Sequence, residues 1–255
     1  MLFNSVDFLI FFPVVTLLYF ALPFRARWAL LLLVSCGFYM AFVPKYILIL
    51  LLTIVVDYFA AIEMEKQLGK KRRIYFFFSL ATTFLILFLF KYFNFFNANV
   101  AAIAHFLHWN YSMEILKIIL PIGLSFHTFQ GMSYIIEVYL GRQKAEHHFG
   151  IYALYVMFYP QLVAGPIERP QNLLHQFHEY HPFDYKNVTD GLKLMAWGMF
   201  KKVVIADRLA VAVNLVYNDV HAYSSLPLFI ATLFFTFQIY CDFSGYSDIA
   251  RGAAQ

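Results

Sequence analysis

Apolar residues run along this chain in long blocks separated by short charged or turn-forming breaks. Neither the alternation of a half-buried strand nor a single apolar helical face describes them. A block of about 20 apolar residues is the length that crosses a bilayer as a helix. On that basis the pattern predicts spans at Val6–Leu22, Ala26–Val43, Tyr46–Ile62 and Ile74–Phe93. Pro23 with Arg25, Pro44 with Lys45, and the charge cluster Glu63–Arg73 separate them. After a polar interruption at Asn94, Asn97 and Asn99, Val100–Trp109 is too short to span and reads as a partial or interfacial helix. Ile115–Leu140 follows, with Pro121 and Gly123 placed to kink or break it near its start. Ile151–Ala164 is a further apolar run, and Gly165–Asp190 is the longest polar segment, holding Pro166, Pro170 and Pro182. Gly191–Val213 is apolar with Lys193, Lys201, Lys202, Asp207 and Arg208 set into it, and Leu226–Phe243 is the last span. The expected fold is all-α, a polytopic transmembrane helical bundle in one domain over residues 1–255.

Composition strengthens that reading. The 255 residues are 62% hydrophobic and 13% charged, whereas soluble domains are about half apolar and a quarter charged. The 31 Phe suit hydrocarbon and the 18 Tyr suit the headgroup boundary. Cys36 and Cys241 both lie in apolar stretches, so neither a disulfide nor a metal pattern is expected. The net charge of +4 comes mostly from the Lys66–Arg73 run, which is an orientation signal rather than a nucleic-acid footprint. Lys and Arg in short loops put that run, Arg25, Arg27, Arg142 and Lys144 in the cytoplasm and the N-terminus outside. No basic flank precedes the first apolar run, which is read as a retained span rather than a cleaved leader. The glycines are nowhere spaced as GxxxG, so that helix-pairing device is not expected.

Ionisable groups within spans are the first candidates for chemistry. Asp57 lies in the third span, near enough to its cytoplasmic end to reach the interface. Asp242 and Asp248 bracket a polar, Gly-interrupted run that reads as irregular backbone lining a cavity. His175, His178 and His181 drift by about 60° per step around a helix and do not converge on one metal. No metal site is expected. His127 reads as a packing residue. Lys201 and Lys202 have two readings: snorkelling to anionic headgroups, or drawing a phosphate-bearing acyl donor to a cytosolic mouth.

Four ordered segments are more specific. They are Leu120-Pro-Ile-Gly-Leu-Ser-Phe-His-Thr-Phe-Gln130, Tyr159-Pro-Gln-Leu-Val-Ala-Gly-Pro-Ile167, Phe200-Lys-Lys-Val-Val-Ile-Ala-Asp-Arg-Leu209 and Gln238-Ile-Tyr-Cys-Asp-Phe-Ser-Gly-Tyr-Ser-Asp-Ile-Ala250. Together they resemble the membrane-bound O-acyltransferase family, in its alginate O-acetyltransferase-like branch. His127 departs from the aromatic residue the first segment would carry.

The resemblance implies a helical bundle around a tunnel. An acyl donor such as acetyl-CoA approaches from the cytoplasm, with no bound cofactor, and a polysaccharide or a periplasmic acetyl-relay protein accepts from the other side. It implies a bacterial inner-membrane location and a lipid bilayer as partner, with no nucleic acid. Tunnel or substrate-lining candidates are Gln130, Gln161, Gly165, Pro166, Gln238, Tyr240, Asp242, Ser244, Tyr246 and Asp248, and the cytosolic-mouth candidates are Lys201 and Lys202. The family's general-base histidine is expected C-terminal to Gln255, so no residue here is assigned to catalysis. The chain then reads as the N-terminal part of a single transmembrane acyltransferase domain, inactive alone. A transporter or a scaffold of an export complex would accommodate the intramembrane Asp residues but leaves the four segments unexplained.

Overall fold

A computed structural model describes residues 3–41, 44–109, 123–162 and 165–255. The described residues are helical, without strands. Helices α1 (Val6–Ala21) and α2 (Phe24–Met40) precede α3 (Ile47–Lys66) and α4 (Gly69–Leu87). A wide turn at Phe88–Tyr92 leads into α5 (Phe93–Phe106). Then come α6 (Leu124–Tyr139), α7 (Phe149–Met157), the single turn α8 (Pro170–Leu173), α9 (Tyr185–Met199), α10 (Asp207–Tyr217) and α11 (Ser225–Ala254). Among the described residues, three stretches are long and apolar enough to cross a membrane: Pro44–Lys66, Gly69–Phe106 and Ser225–Ala254. This is a helical membrane bundle.

The chain divides into two compact units. One holds Ser35–Phe158 and Ile167–Glu179, where α3, α4, α6 and α7 pack together. Its interior is Leu50, Ile54, Ala61, Met64, Tyr134, Ile135, Tyr152, Leu154, Tyr155 and Met157, all buried. The other holds Met1–Val34, Tyr159–Pro166 and Tyr180–Gln255, and its principal pair is α9 with α11. On α11, Leu226, Phe229, Leu233, Phe237 and Tyr240 stay exposed at three- and four-residue intervals, the stripe a helix turns to hydrocarbon.

Several expectations are corrected. The charged run Glu63–Arg73 is mostly helix, since α3 continues to Lys66 and α4 begins at Gly69. Glu, Lys and Arg are good helix formers, and only Gln67–Leu68 separate the two helices. The asparagines after Phe93 interrupt nothing: Gly69–Phe106 is one helical stretch of 38 residues, and Asn99 Nδ2 bonds to the Phe95 carbonyl along it. The run from Ile151 forms only a nine-residue buried helix, too short to span, because Pro160 disfavours helix at the residue before it. Residues 163–164 of that run lie outside the described residues, as do Pro121 and the start of the Ile115–Leu140 run. Gly123, left-handed at φ 73°, opens α6. Finally, the run from Gln238 to Asp248 is regular helix within α11 rather than irregular backbone.

The α9–α11 pair uses a glycine device that a search for GxxxG passes over. Gly191 and Gly198 of α9 meet Gly252 and Gly245 of α11, in antiparallel order. A Cβ on Gly198 would lie 2.6 Å from the Gly245 carbonyl oxygen, and one on Gly245 would lie 2.8 Å from the Gly198 oxygen. Seven residues separate the glycines on each helix, two turns rather than one, so each returns to the same face. Gly198→Ala should therefore lower thermal stability in detergent, by about 1–3 kcal/mol, the usual range for overpacking. Gly37→Ala is the control, because nothing lies within 4 Å of a Cβ there, and it should leave the unfolding temperature unchanged or raised.

Candidate functional site

α11 carries its polar residues along the edge that faces α9. Cys241, Gly245, Ile249 and Gly252 are buried at three- and four-residue spacing, and Asp242, Ser244 and Asp248 flank that line. α9 ends at Met199 and passes into a wide turn, Phe200–Ala206. Such turns hold an extra residue and re-aim the side chains around them. Here the two consecutive lysines straddle the contact line, and both reach α11.

Lys201 Nζ donates to Ser244 Oγ at 2.7 Å and pairs with the Asp248 carboxylate. Both charged side chains are nearly buried, 13% and 14% exposed. The same ammonium lies 5.8 Å from the centre of the Trp197 ring, within cation–π range. Lys202 Nζ bridges Asp242 at 2.6 Å and Asp207 at 3.0 Å. The seam thus binds two ammoniums to three carboxylates. The second specific segment joins the same unit: the Tyr246 hydroxyl donates to the Pro160 carbonyl at 3.3 Å, and Tyr246 stacks on Phe3 at 4.6 Å. Gly165 closes that segment's turn with its N–H on the Gln161 carbonyl at 3.0 Å. A Cβ on Gly165 would come within 2.7 Å of Gln161 Cβ, so only glycine fits there.

Of the residues expected from sequence, Lys201, Lys202, Asp242, Ser244 and Asp248 therefore come together. Gln161, Gly165 and Tyr246 belong to the same unit through the Pro160 contact, and Pro166 ends its turn half-buried. Gln238 holds a buried Oε1 on α11 with no partner among the described residues, while Tyr240 is 66% exposed on its outer side. Gln130 belongs to the other unit, buried on α6, and its Nε2 has no partner among the described residues. Sequence reasoning missed Asp207 as the third carboxylate, although it stands in the third segment. It also missed the paired glycines, whose signal was a seven-residue spacing present in both helices.

The other unit holds a different polar group. Asp57 does not reach the interface; it is buried between α3, α4 and α6. Ser79 donates to its Oδ1 at 2.6 Å and Thr83 at 3.5 Å. Gly131 of α6 lies directly against it, since a Cβ there would stand 2.5 Å from Asp57 Oδ2. One carboxylate thereby fastens three helices. His127 is buried edge-on to the Tyr39 ring at 6.3 Å, and neither ring nitrogen has a partner among the described residues. The three spaced histidines disperse: His175 Nδ1 meets the Gln171 carbonyl, His178 pairs with Glu146 at 2.8 Å, and the His181 carbonyl accepts from Arg27.

Comparison with known proteins bears on what these residues serve. Over 285 residues the chain is 33% identical to the peptidoglycan O-acetyltransferase of Helicobacter pylori, covering 99% of this chain and 53% of that protein. The chain is a homologue of the membrane-bound O-acyltransferases. It is also 33% identical to the probable alginate O-acetylase AlgI of Pseudomonas aeruginosa, covering 99% of the chain and 48% of the relative. The corresponding Azotobacter vinelandii protein is 33% identical, with 99% and 50% covered. The chain spans about half the length of these curated relatives. No family model matches it. The likeness read from the four segments is borne out by these relatives over nearly the whole chain.

The Asp57 knot makes a ranked prediction. Ser79→Ala removes a short bond to a buried carboxylate and should lower stability by about 1.5–3 kcal/mol. Thr83→Val removes one at the limit of hydrogen-bond length and should lower it less. Thermal unfolding in detergent reads both, and an equal loss would contradict the ranking.

Proposed function

We propose that the chain supplies membrane helices of an O-acetyltransferase that acetylates hydroxyl groups of a cell-surface or exported polysaccharide. The observation that carries this reading is the meeting of the third and fourth specific segments in one polar seam, with the second segment tied to α11 through Tyr246. The O-acetyltransferase relatives support it. In the reaction, the acceptor oxygen attacks the carbonyl of an acetyl thioester such as acetyl-CoA. The new C–O bond forms as the C–S bond breaks, and the hydroxyl proton passes through a general base to the leaving thiolate. None of the nine histidines of the chain is assigned that base. The acceptor is the polysaccharide itself or a periplasmic protein that relays the acetyl group.

The same reading puts the protein in a bacterial inner membrane, crossing it several times with the N-terminus outside. The Lys and Arg residues of Lys66–Arg73 support that orientation.

Deleting the coding gene should remove alkali-labile acetate from the polysaccharide, measured as acetate released by mild base. Unchanged acetate content would overturn the reading. Membranes carrying only these 255 residues should transfer no more acetyl than membranes lacking them.

A further inference from the structure

Two lysines beside a proposed acyl-transfer site invite assignment to the phosphates of the donor. Their surroundings argue otherwise. Lys201 is 13% exposed and already engaged by Asp248 and Ser244. Lys202 is held by Asp242 and Asp207. Within this cluster three carboxylates outnumber two ammoniums, so an approaching phosphate meets net repulsion. A group built to bind phosphate presents uncompensated donors; here each ammonium already has two partners within the protein, and every carboxylate among them offsets its charge.

We propose that Lys201 and Lys202 are positioning residues that lock the wide turn Phe200–Ala206 onto α11 and so present Asp242 to the hydroxyl of the acceptor. The inference rests on the acetyl-transfer reading above. Lys202 takes one oxygen of Asp242, yet that side chain remains 51% exposed, which leaves the carboxylate open to accept a hydrogen bond from a sugar or serine hydroxyl. Asp248 is buried against Lys201 instead, and serves the clamp alone. The glycine contacts fix the register: a Cβ on Gly245 would lie 3.1 Å from the Lys202 backbone nitrogen and 3.3 Å from Lys201 Cβ. Backbones this close let the lysines cross to the partner helix. The seam is accordingly a hydroxyl-acceptor element, and the phosphorylated donor binds elsewhere.

The test uses the whole protein in membranes of its own host, with acetyl-CoA and acceptor varied separately. Asp242→Asn should raise the acceptor KM roughly tenfold and leave the acetyl-CoA KM within about twofold. Lys202→Met should do the same, and Lys202→Arg should recover most of the loss. A rise in the acetyl-CoA KM for Lys202→Met, with the acceptor KM unchanged, would assign the lysine to the donor and overturn the proposal. So would an unchanged acceptor KM for Asp242→Asn. The clamp is read independently of turnover. Lys201→Asp should lower the unfolding temperature, and adding Asp248→Lys should restore it, the non-additivity expected of a direct pair. Additive losses would sink the clamp. Wild-type membranes that transfer no acetyl group would sink the acetyl-transfer reading while the unfolding cycle still decides the pairing.

Discussion

In hydrocarbon a polar group has no water to turn to, so each must find its partner within the protein. That constraint organises both units. In one, a single carboxylate, Asp57, collects hydroxyls from α4 and the bare backbone of α6. In the other, five charged side chains on the α9–α11 pair and its wide turn pair with one another, two ammoniums against three carboxylates. Both are placed where helices meet rather than where they face lipid. The exposed faces carry Phe, Leu and Ile, which need no partner. The buried polar groups thus lie at helix contacts, among the apolar residues that fill the interior of the first unit.

Charge pairing across helices requires the helices to be close, and closeness has its own requirement. α11 is long and apolar enough to cross a membrane, and lipid tails are as apolar as its side chains, so within lipid no hydrophobic drive brings a neighbouring helix against it. Intimate packing must do so. Gly198 against Gly245 and Gly191 against Gly252 let two backbones touch. A methyl at any of these positions would press on the facing backbone. Removing one partner of a buried ion pair is destabilising by about 3–5 kcal/mol. Glycine contact and ion pairing meet at Gly245, where a Cβ would lie 3.3 Å from Lys201 Cβ.

How much of this is legible in the sequence follows from which signals are local. The helical bundle is legible because apolar block length is a local property. The seam residues are legible through the third and fourth segments, whose Lys201, Lys202, Asp242, Ser244 and Asp248 do converge. Pairings are not local. Nothing in the run around Asp57 names Ser79, 22 residues away. Polar content misleads in two places. The residues after Phe93 and those from Gln238 to Asp248 look like breaks, yet both are helix. A helix satisfies its own backbone, so polar side chains interrupt it only when they compete for those bonds, and here Asn99 merely caps the Phe95 carbonyl one turn back. The glycine spacing was readable but lay outside the four-residue rule. In this antiparallel pair the glycines meet at every second turn.

The wide turn of α9 is the step that connects packing to chemistry. In a regular helix consecutive residues point about 100° apart, so two adjacent lysines lie on either side of a contact line, and a widened backbone re-aims them. The widened turn here is Phe200–Ala206. It begins two residues after Gly198, whose backbone is in direct contact with Gly245 of α11. It ends at Asp207, whose carboxylate returns to Lys202 at 3.0 Å. The turn is thus closed on itself by one ion pair and fastened to α11 by two others. A local departure from helical geometry held from both sides is what a site needs if one carboxylate, Asp242, is to stay half-exposed among charges that are otherwise consumed. The sequence Phe200-Lys-Lys-Val-Val-Ile-Ala-Asp207 encodes that arrangement: cations at its start, a carboxylate at its end, and between them apolar residues that suit a bilayer.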